Sequence, residues 1–251
     1  KNLIYNLNYL ENKINYTNRV VFYKININGN EIYRFCTETS EIKKLNSYNL
    51  RINCLKKGIT NNRIFYIEGD SHTANFIPMF NEININDSIY YTHKANLFVN
   101  DNFNYDLINS LQKNYNEIVY VTNISDEKSL YRLIEIQKKF NKKIKILILG
   151  TVPYINSHIE PLKCFIKNIN CEYDTFNDIN KRNLISLNLK IKKLINNNSN
   201  FNYFDPFNLI CPSRICKVFD KERNLITHRD DMHLTIEGSS LMSEGFMKFY
   251  I

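Results

Sequence analysis

Two short stretches of the chain carry residues that could perform covalent chemistry together. Gly69-Asp70-Ser71-His72 ends a run of strand-forming residues, and Asp230-Asp231-Met232-His233 lies close to the C-terminus. A serine hydroxyl is a weak nucleophile until a base takes its proton. Histidine does this when a carboxylate holds its other ring nitrogen. Asp230 and His233 stand in D-x-x-H spacing, which a tight turn closes, so they qualify as orienting carboxylate and general base for Ser71. Asp231, one residue further on, is expected to point elsewhere.

Other roles for Ser71 have to be weighed. A phosphate-binding loop needs several glycines and a lysine, and only Gly69 is present. The G-x-S-x-G elbow of α/β-hydrolases is absent. A plain helix N-cap stays open, because serine readily starts helices. A single D-x-x-H is a weak signal. It gains force from a strand-ending G-D-S in a chain whose strands and helices alternate.

That alternation begins near Asn62. "RIFYIEG", "SIYYT", "EIVYVTN" and "KIKILILGTVP" read as strands, and "NYFDPF" as a short one. Between them, "TANFIPMFNEI" reads as a helix interrupted near Pro78. "FNYDLINSLQKNY" and "DEKSLYRLIEIQKKF" have helical spacing, the latter with Asp126 near its cap. A long helix is expected over about 177–196, and the segment from about Thr235 is expected to be helical. Such βαβ units imply an α/β fold with a mainly parallel sheet and helices on both faces. Ligands then bind beyond the carboxyl ends of the strands, where Gly69–His72 falls. Residues 1–60 differ. "VVFYKININGNEIYRFC" alternates on both sides of Asn28-Gly29, a hairpin signal. We therefore expect an N-terminal extension with a β-ribbon over 1–60 and a catalytic domain over 61–251.

With 251 residues, 43% of them hydrophobic and 13% aromatic, the chain can bury a substantial core. It does not begin with Met, and is expected to be part of a longer protein. The net charge of +8 is spread over scattered lysines. No zinc-finger spacing, RNA-binding signature or dense basic stripe is present, so nucleic acid is not an expected partner. No stretch reaches the roughly 20 apolar residues that span a bilayer. The cysteines fall as Cys36 and Cys54, Cys164 and Cys171, and Cys211 and Cys216. They form no C-x-x-C and have no histidines clustered near them, so no metal is expected. Their even number and neighbouring placement suggest disulfides paired in sequence order, and hence an oxidising compartment, against the alternative of reduced thiols in the cytosol.

"GDSH" and "DDMHL" resemble the first and last blocks of the SGNH (GDSL-like) hydrolase superfamily. The resemblance is strongest to extracytoplasmic SGNH domains fused to family 3 membrane acyltransferases, which O-acetylate surface polysaccharides. The tail "YFDPFNLICPSRIC…HRDDMHLTIEGSSLM" is similar to that branch in its acidic-Pro strand end, its Cys-Pro…Cys pair and its D-x-x-H-L followed by a small-residue helix. An extension with paired cysteines ahead of the first block is similar too. The resemblance covers roughly Cys36 to the C-terminus. It implies a flavodoxin-like three-layer fold, Ser71 as nucleophile, His233 as base, Asp230 as its carboxylate and Asp70 as a structural turn residue. His72 is expected to make a turn-stabilising hydrogen bond. The family's second block centres on a glycine that donates an oxyanion N–H, whereas this chain reads "THKANLFVN" after its second strand. Asn96 is the candidate substitute there. The third block supplies an Asn, for which Asn123 is the candidate, with a helix-capping role as the alternative. Ser71 N–H is the first oxyanion donor expected.

The resemblance further implies an acyl donor and a glycan acceptor as partners, a membrane acyltransferase domain upstream, no cofactor, and an extracytoplasmic location on a membrane-embedded parent. A carbohydrate or lipid esterase, or a glycan-binding module with a degenerate site, are the alternatives.

Overall fold

The computed structural model describes residues 55–250, apart from 84–85, 94–102, 104, 125, 141–143, 157 and 175–178, together with four N-terminal strands. Of these, β1 (Tyr23–Ile27) pairs antiparallel with β2 (Asn30–Arg34), Ile27 facing Asn30, the register of a hairpin closed over two residues. β3 (Ile42–Leu45) pairs with β4 (Tyr48–Arg51) in the same sense. Cys36 and Cys54 lie outside the described residues.

β5 (Leu55–Lys56) and β6 (Arg63–Gly69) lead into α1 (Ser71–Ala74) and α2 (Ile77–Glu82). β7 (Ser88–His93) precedes α3 (Tyr105–Leu111), β8 (Glu117–Asn123) precedes α4 (Glu127–Lys138), and β9 (Ile144–Leu149) precedes α5 (Pro161–Ile166). The chain continues through β10 (Cys171–Asp174), α6 (Ile179–Ile195), β11 (Phe201–Phe204), α7 (Phe207–Ile210), β12 (Ile215–Asp220), β13 (Leu225–Ile226), α8 (Ile236–Ser240) and α9 (Ser243–Tyr250). Pro78 sits in the first turn of α2, where its missing N–H costs nothing, so the expected interruption falls just before it.

The central sheet has the order β11-β9-β8-β6-β7-β5. Its five long-range strands are parallel, and β5 joins the edge antiparallel to β7. Numbered by appearance, the parallel strands run 2-1-3-4-5, the flavodoxin-like order, with its switch point between β6 and β8. This is the α/β architecture expected from the alternating pattern. Strands covered on both faces must be apolar almost throughout. β6, β8 and β9 obey this: Ile64, Phe65, Ile67, Ile118, Val119, Val121 and Ile146–Leu149 are all buried. α4 turns Leu130, Leu133 and Ile136 inward and is capped by Asp126, whose carboxylate accepts from Ser129 N at 2.8 Å.

The two rims of the sheet differ in chemistry. At the amino rim, Arg63 pairs with Asp87 at 2.6 Å and lies over the Phe65 and Tyr250 rings, while Lys145 pairs with Glu117 at 2.9 Å. The carboxyl rim carries Gly69, Asn123 and Leu149, and the loops that follow them.

An antiparallel sheet of order β10-β12-β13, not foreseen from the pattern, stands beside the main one. Its strands are too short to show periodicity. Two disulfides hold it: Cys164–Cys171 joins α5 to β10, and Cys211–Cys216 joins the end of α7 to β12. Both are the sequence-order pairings expected. A bridge over so short a loop restricts the unfolded chain by about 2–3 kcal/mol. The Cys211→Ala/Cys216→Ala double variant should therefore lose about that much in urea unfolding. An unchanged midpoint would show that the small sheet holds itself without the bridge.

Candidate active site

The corner after β6 is built by Gly69, Asp70 and Thr73. Asp70 is the N-cap of α1, its Oδ1 accepting from His72 N at 2.9 Å, which is the structural part expected of it. A Cβ on Gly69 would lie 2.0 Å from Thr73 Oγ1, so only glycine lets the strand turn this closely under the helix. Thr73 Oγ1 in turn accepts from Asn123 N at 3.3 Å, joining the helix to the end of β8 across the switch point. Ser71 is the first residue of α1 and half-buried, and its N–H has no partner one turn back within so short a helix.

The C-terminal residues come to the same rim through a tight loop. His228 and Leu234 form a bridge, and Arg229 N donates to His233 O at 3.0 Å. Inside the turn, Asp230 Oδ1 accepts from Met232 N at 2.9 Å and from His233 N at 2.8 Å. The same carboxylate meets His233 Nδ1 through both oxygens, at 2.9 and 3.0 Å. The D-x-x-H spacing works because one side chain closes the turn and also holds the ring. His233 Nε2 is buried and has no hydrogen-bond partner among the described residues. Burial opposes the Asp230 charge, but the bonds from His233 and Met232 N and the neighbouring Arg229 outweigh it, holding its pKa well below the usual carboxylate range. Arg229, whose Nε donates to Asp230 Oδ2 at 3.1 Å, was not singled out in the sequence, although it adjoins the motif.

Asn75 binds the two blocks to each other. Its Oδ1 accepts from Leu234 N at 3.0 Å and its Nδ2 donates to Met232 O at 3.4 Å, so α1 grips the backbone on both sides of His233. Nothing in the local pattern distinguishes Asn75 from other asparagines. The loop after β9 grips the other side: Ile155 N donates to Asp231 O at 2.9 Å, and the fully buried His228 donates through Nε2 to Pro153 O at 3.0 Å. Behind the loop, α8 lies so near the chain that a Cβ on Gly238 would meet Thr227 O at 2.0 Å. Ser239 Oγ accepts from Met79 N at 3.1 Å, anchoring α8 on α2.

The structure thus brings Ser71, Asp230 and His233 to one rim. Ser71 Oγ and His233 Nε2 are not hydrogen-bonded to each other, and contacts of this kind often tighten only with substrate bound. Asn123 reaches the same rim, with Nδ2 donating one hydrogen to Leu149 O at 2.8 Å and a second hydrogen left over. It does not cap the next helix, since Asp126 does. Asn96 lies outside the described residues. The turn bond expected of His72 is made by its backbone N–H. Its ring makes none, and Nδ1 is buried without a partner among the described residues. No cluster of three or more metal-ligating side chains occurs among the described residues.

A family model described as "SGNH domain (fused to AT3 domains)" matches residues 36–248. The chain belongs to this family. Among solved structures, the SGNH domain is similar to the periplasmic domain of a lipopolysaccharide acetyltransferase from Salmonella ser. Paratyphi A, at 17% identity, with a TM-score of 0.55 over 77% of this chain and 86% of that one. It also aligns with a Streptococcus pneumonia protein provisionally described as a platelet activating factor, at 12% identity and a TM-score of 0.45, over 76% of this chain and 84% of that one. No curated protein sequence matches the chain. Family and fold support esterase or acyltransferase chemistry in general. Among the described residues, no helix is long and apolar enough to cross a membrane.

The depressed pKa of Asp230 has a signed consequence. A carboxylate whose folded value lies below its unfolded value stabilises the native state above the unfolded value, and loses that contribution as pH falls through the folded one. The stability advantage of the native protein over Asp230→Asn should be constant from neutral pH down to about pH 5 and shrink below it. On the reading of His233 as general base, Asp230→Asn should also lower kcat by roughly 10³–10⁴-fold, because an amide neither balances the imidazolium charge nor holds the ring tautomer that leaves Nε2 free. A stability difference that grows in acid would contradict this account of Asp230.

Proposed function

We propose that this SGNH domain transfers an acyl group, acetyl in the simplest case, to a hydroxyl of a surface polysaccharide through an acyl-enzyme on Ser71. The reading is carried by one observation. His233 is fixed at Nδ1 by Asp230 and presents a bare, buried Nε2 at the rim where α1 begins with Ser71.

In the first step Ser71 Oγ attacks the donor carbonyl and its proton passes to His233 Nε2. Asp230 stabilises the imidazolium. The tetrahedral oxyanion is received by Ser71 N–H and by the second hydrogen of Asn123 Nδ2, with Asn96 the candidate in the second block. A well-placed donor of this kind lowers the barrier by about 3–4 kcal/mol. Collapse breaks the bond to the leaving group, which takes the proton from His233 and leaves the acyl ester on Ser71. In the second step His233 removes a proton from the acceptor hydroxyl, whose oxygen attacks the ester. Ser71 regains its proton as the product leaves. Water as acceptor turns the same sequence into an esterase.

Fusion to AT3 domains in the family supports a membrane acyltransferase as the source of the acyl group. The disulfides and the family relationship together support placement of the domain outside the cytoplasm, on a membrane-embedded parent. The division into an extension over 1–60 and a catalytic domain over 61–251 belongs to the same proposal, with β5 reaching from the extension to the edge of the sheet.

The test is hydrolysis of nitrophenyl acetate, followed by addition of oligosaccharide acceptors. Ser71→Ala should lower the rate by at least about a thousandfold. Acceptors should emerge heavier by one acyl group. Undiminished activity in Ser71→Ala would refute the mechanism. Hydrolysis without any acylated acceptor would make the domain an esterase. Glycan binding by a domain inert in both assays would make it a binding module.

A further inference from the structure

Asp230 holds the His233 ring by one edge only. A ring anchored at Nδ1 can still tilt about that bond, and a tilt carries Nε2 away from the serine. Something must bear on the face of the ring. His72 does so: its ring lies against His233 with centroids 5.7 Å apart and planes 23° from parallel. Tyr154, from the loop after β9, also packs on the His72 ring, at 5.9 Å and 33°. The His72 ring thus touches one ring from that loop and one from the C-terminal loop.

The His72 side chain is not needed for the turn, because its backbone N–H makes the cap bond to Asp70. Nor is the ring held by a hydrogen bond at Nδ1, which is buried and has no partner among the described residues. Its place is set by its faces. Resting on the reading of Ser71 as nucleophile and His233 as base, we propose that His72 is a positioning residue whose ring, packed against Tyr154, holds the His233 imidazole in the plane from which Nε2 reaches Ser71.

The electrostatics agree with this geometry. His233 gains a proton during acyl transfer, and a second charged ring against its face would repel it. Burial lowers the pKa of His72, against the attraction of Asp70 and Asp230 and with the help of His233. The neutral ring therefore stays in place while its neighbour is charged. Of the other charged groups around the pair, Arg229 is bonded to Asp230, and the Asp70 and Asp231 carboxylates both act on the Tyr154 hydroxyl.

The experiment compares His72→Ala, His72→Gln and His72→Phe with the native domain in nitrophenyl acetate hydrolysis, with Ser71→Ala alongside. His72→Ala and His72→Gln should lower kcat by roughly tenfold with KM little changed, the scale expected when a reacting group is misplaced by less than an ångström. His72→Phe restores a flat ring without a titrating nitrogen and should return kcat to within about threefold of native. Unchanged kcat in His72→Ala would overturn the proposal. A Phe variant as slow as the Gln variant would also overturn it, because a ring nitrogen rather than a ring face would then be at work. If His72→Ala does not fold, the comparison of Phe with Gln decides alone. Activity surviving in Ser71→Ala would instead strike the underlying mechanism, whatever the His72 variants do.

Discussion

The site depends on the grip of one buried amide. Asn75 takes a hydrogen from Leu234 N and gives one to Met232 O, across a sequence separation of more than 150 residues. Other contacts, such as that of Met79 N with Ser239 Oγ, join the neighbouring helices, but this one lies directly at the histidine. With it, the backbone around His233 is fixed to the helix that starts at Ser71. The contact is buried, so breaking it would leave polar groups without water, a cost of about 1–3 kcal/mol for each. The bracket therefore ties the fold directly to the proposed site.

The rest of the architecture serves that contact. The 2-1-3-4-5 strand order opens a crevice between β6 and β8 at their carboxyl ends, and Thr73 and Asn123 close its floor. Gly69 lets α1 descend onto this floor, and Gly238 lets α8 press against the chain at Thr227. Asp230 turns the loop and holds the imidazole with the same carboxylate. The charged cluster of Arg63, Asp87, Glu117 and Lys145 stands at the opposite, amino rim. The disulfides secure the small antiparallel sheet from which the chain enters the histidine loop.

What could be read from the sequence was what is local. The buried runs of β6, β8 and β9 announce a parallel sheet because both of their faces are covered. Asp230 and His233 were legible because the turn that joins them is short. Ser71 was legible because it follows the abrupt end of a strand. Asn75, Tyr154 and His228 were not, because each acts on a partner far away in the chain, and asparagine is too common here to single one out. Arg229 was overlooked beside the very motif it charges. For His72 the expected bond exists but belongs to the backbone, which leaves the ring for a different neighbour. The antiparallel sheet escaped because strands of two to six residues, pinned by cysteines, carry no periodic signal.

The central claim is that Ser71 is the one activated hydroxyl in the domain. The most direct measurement is to treat the native protein with a fluorophosphonate ester, which phosphonylates activated serines, and to locate the adduct by peptide mass spectrometry while following nitrophenyl acetate hydrolysis. The account predicts a single adduct on Ser71 and loss of activity in proportion to its occupancy. A stoichiometric adduct on another residue, or full activity with Ser71 occupied, would contradict it.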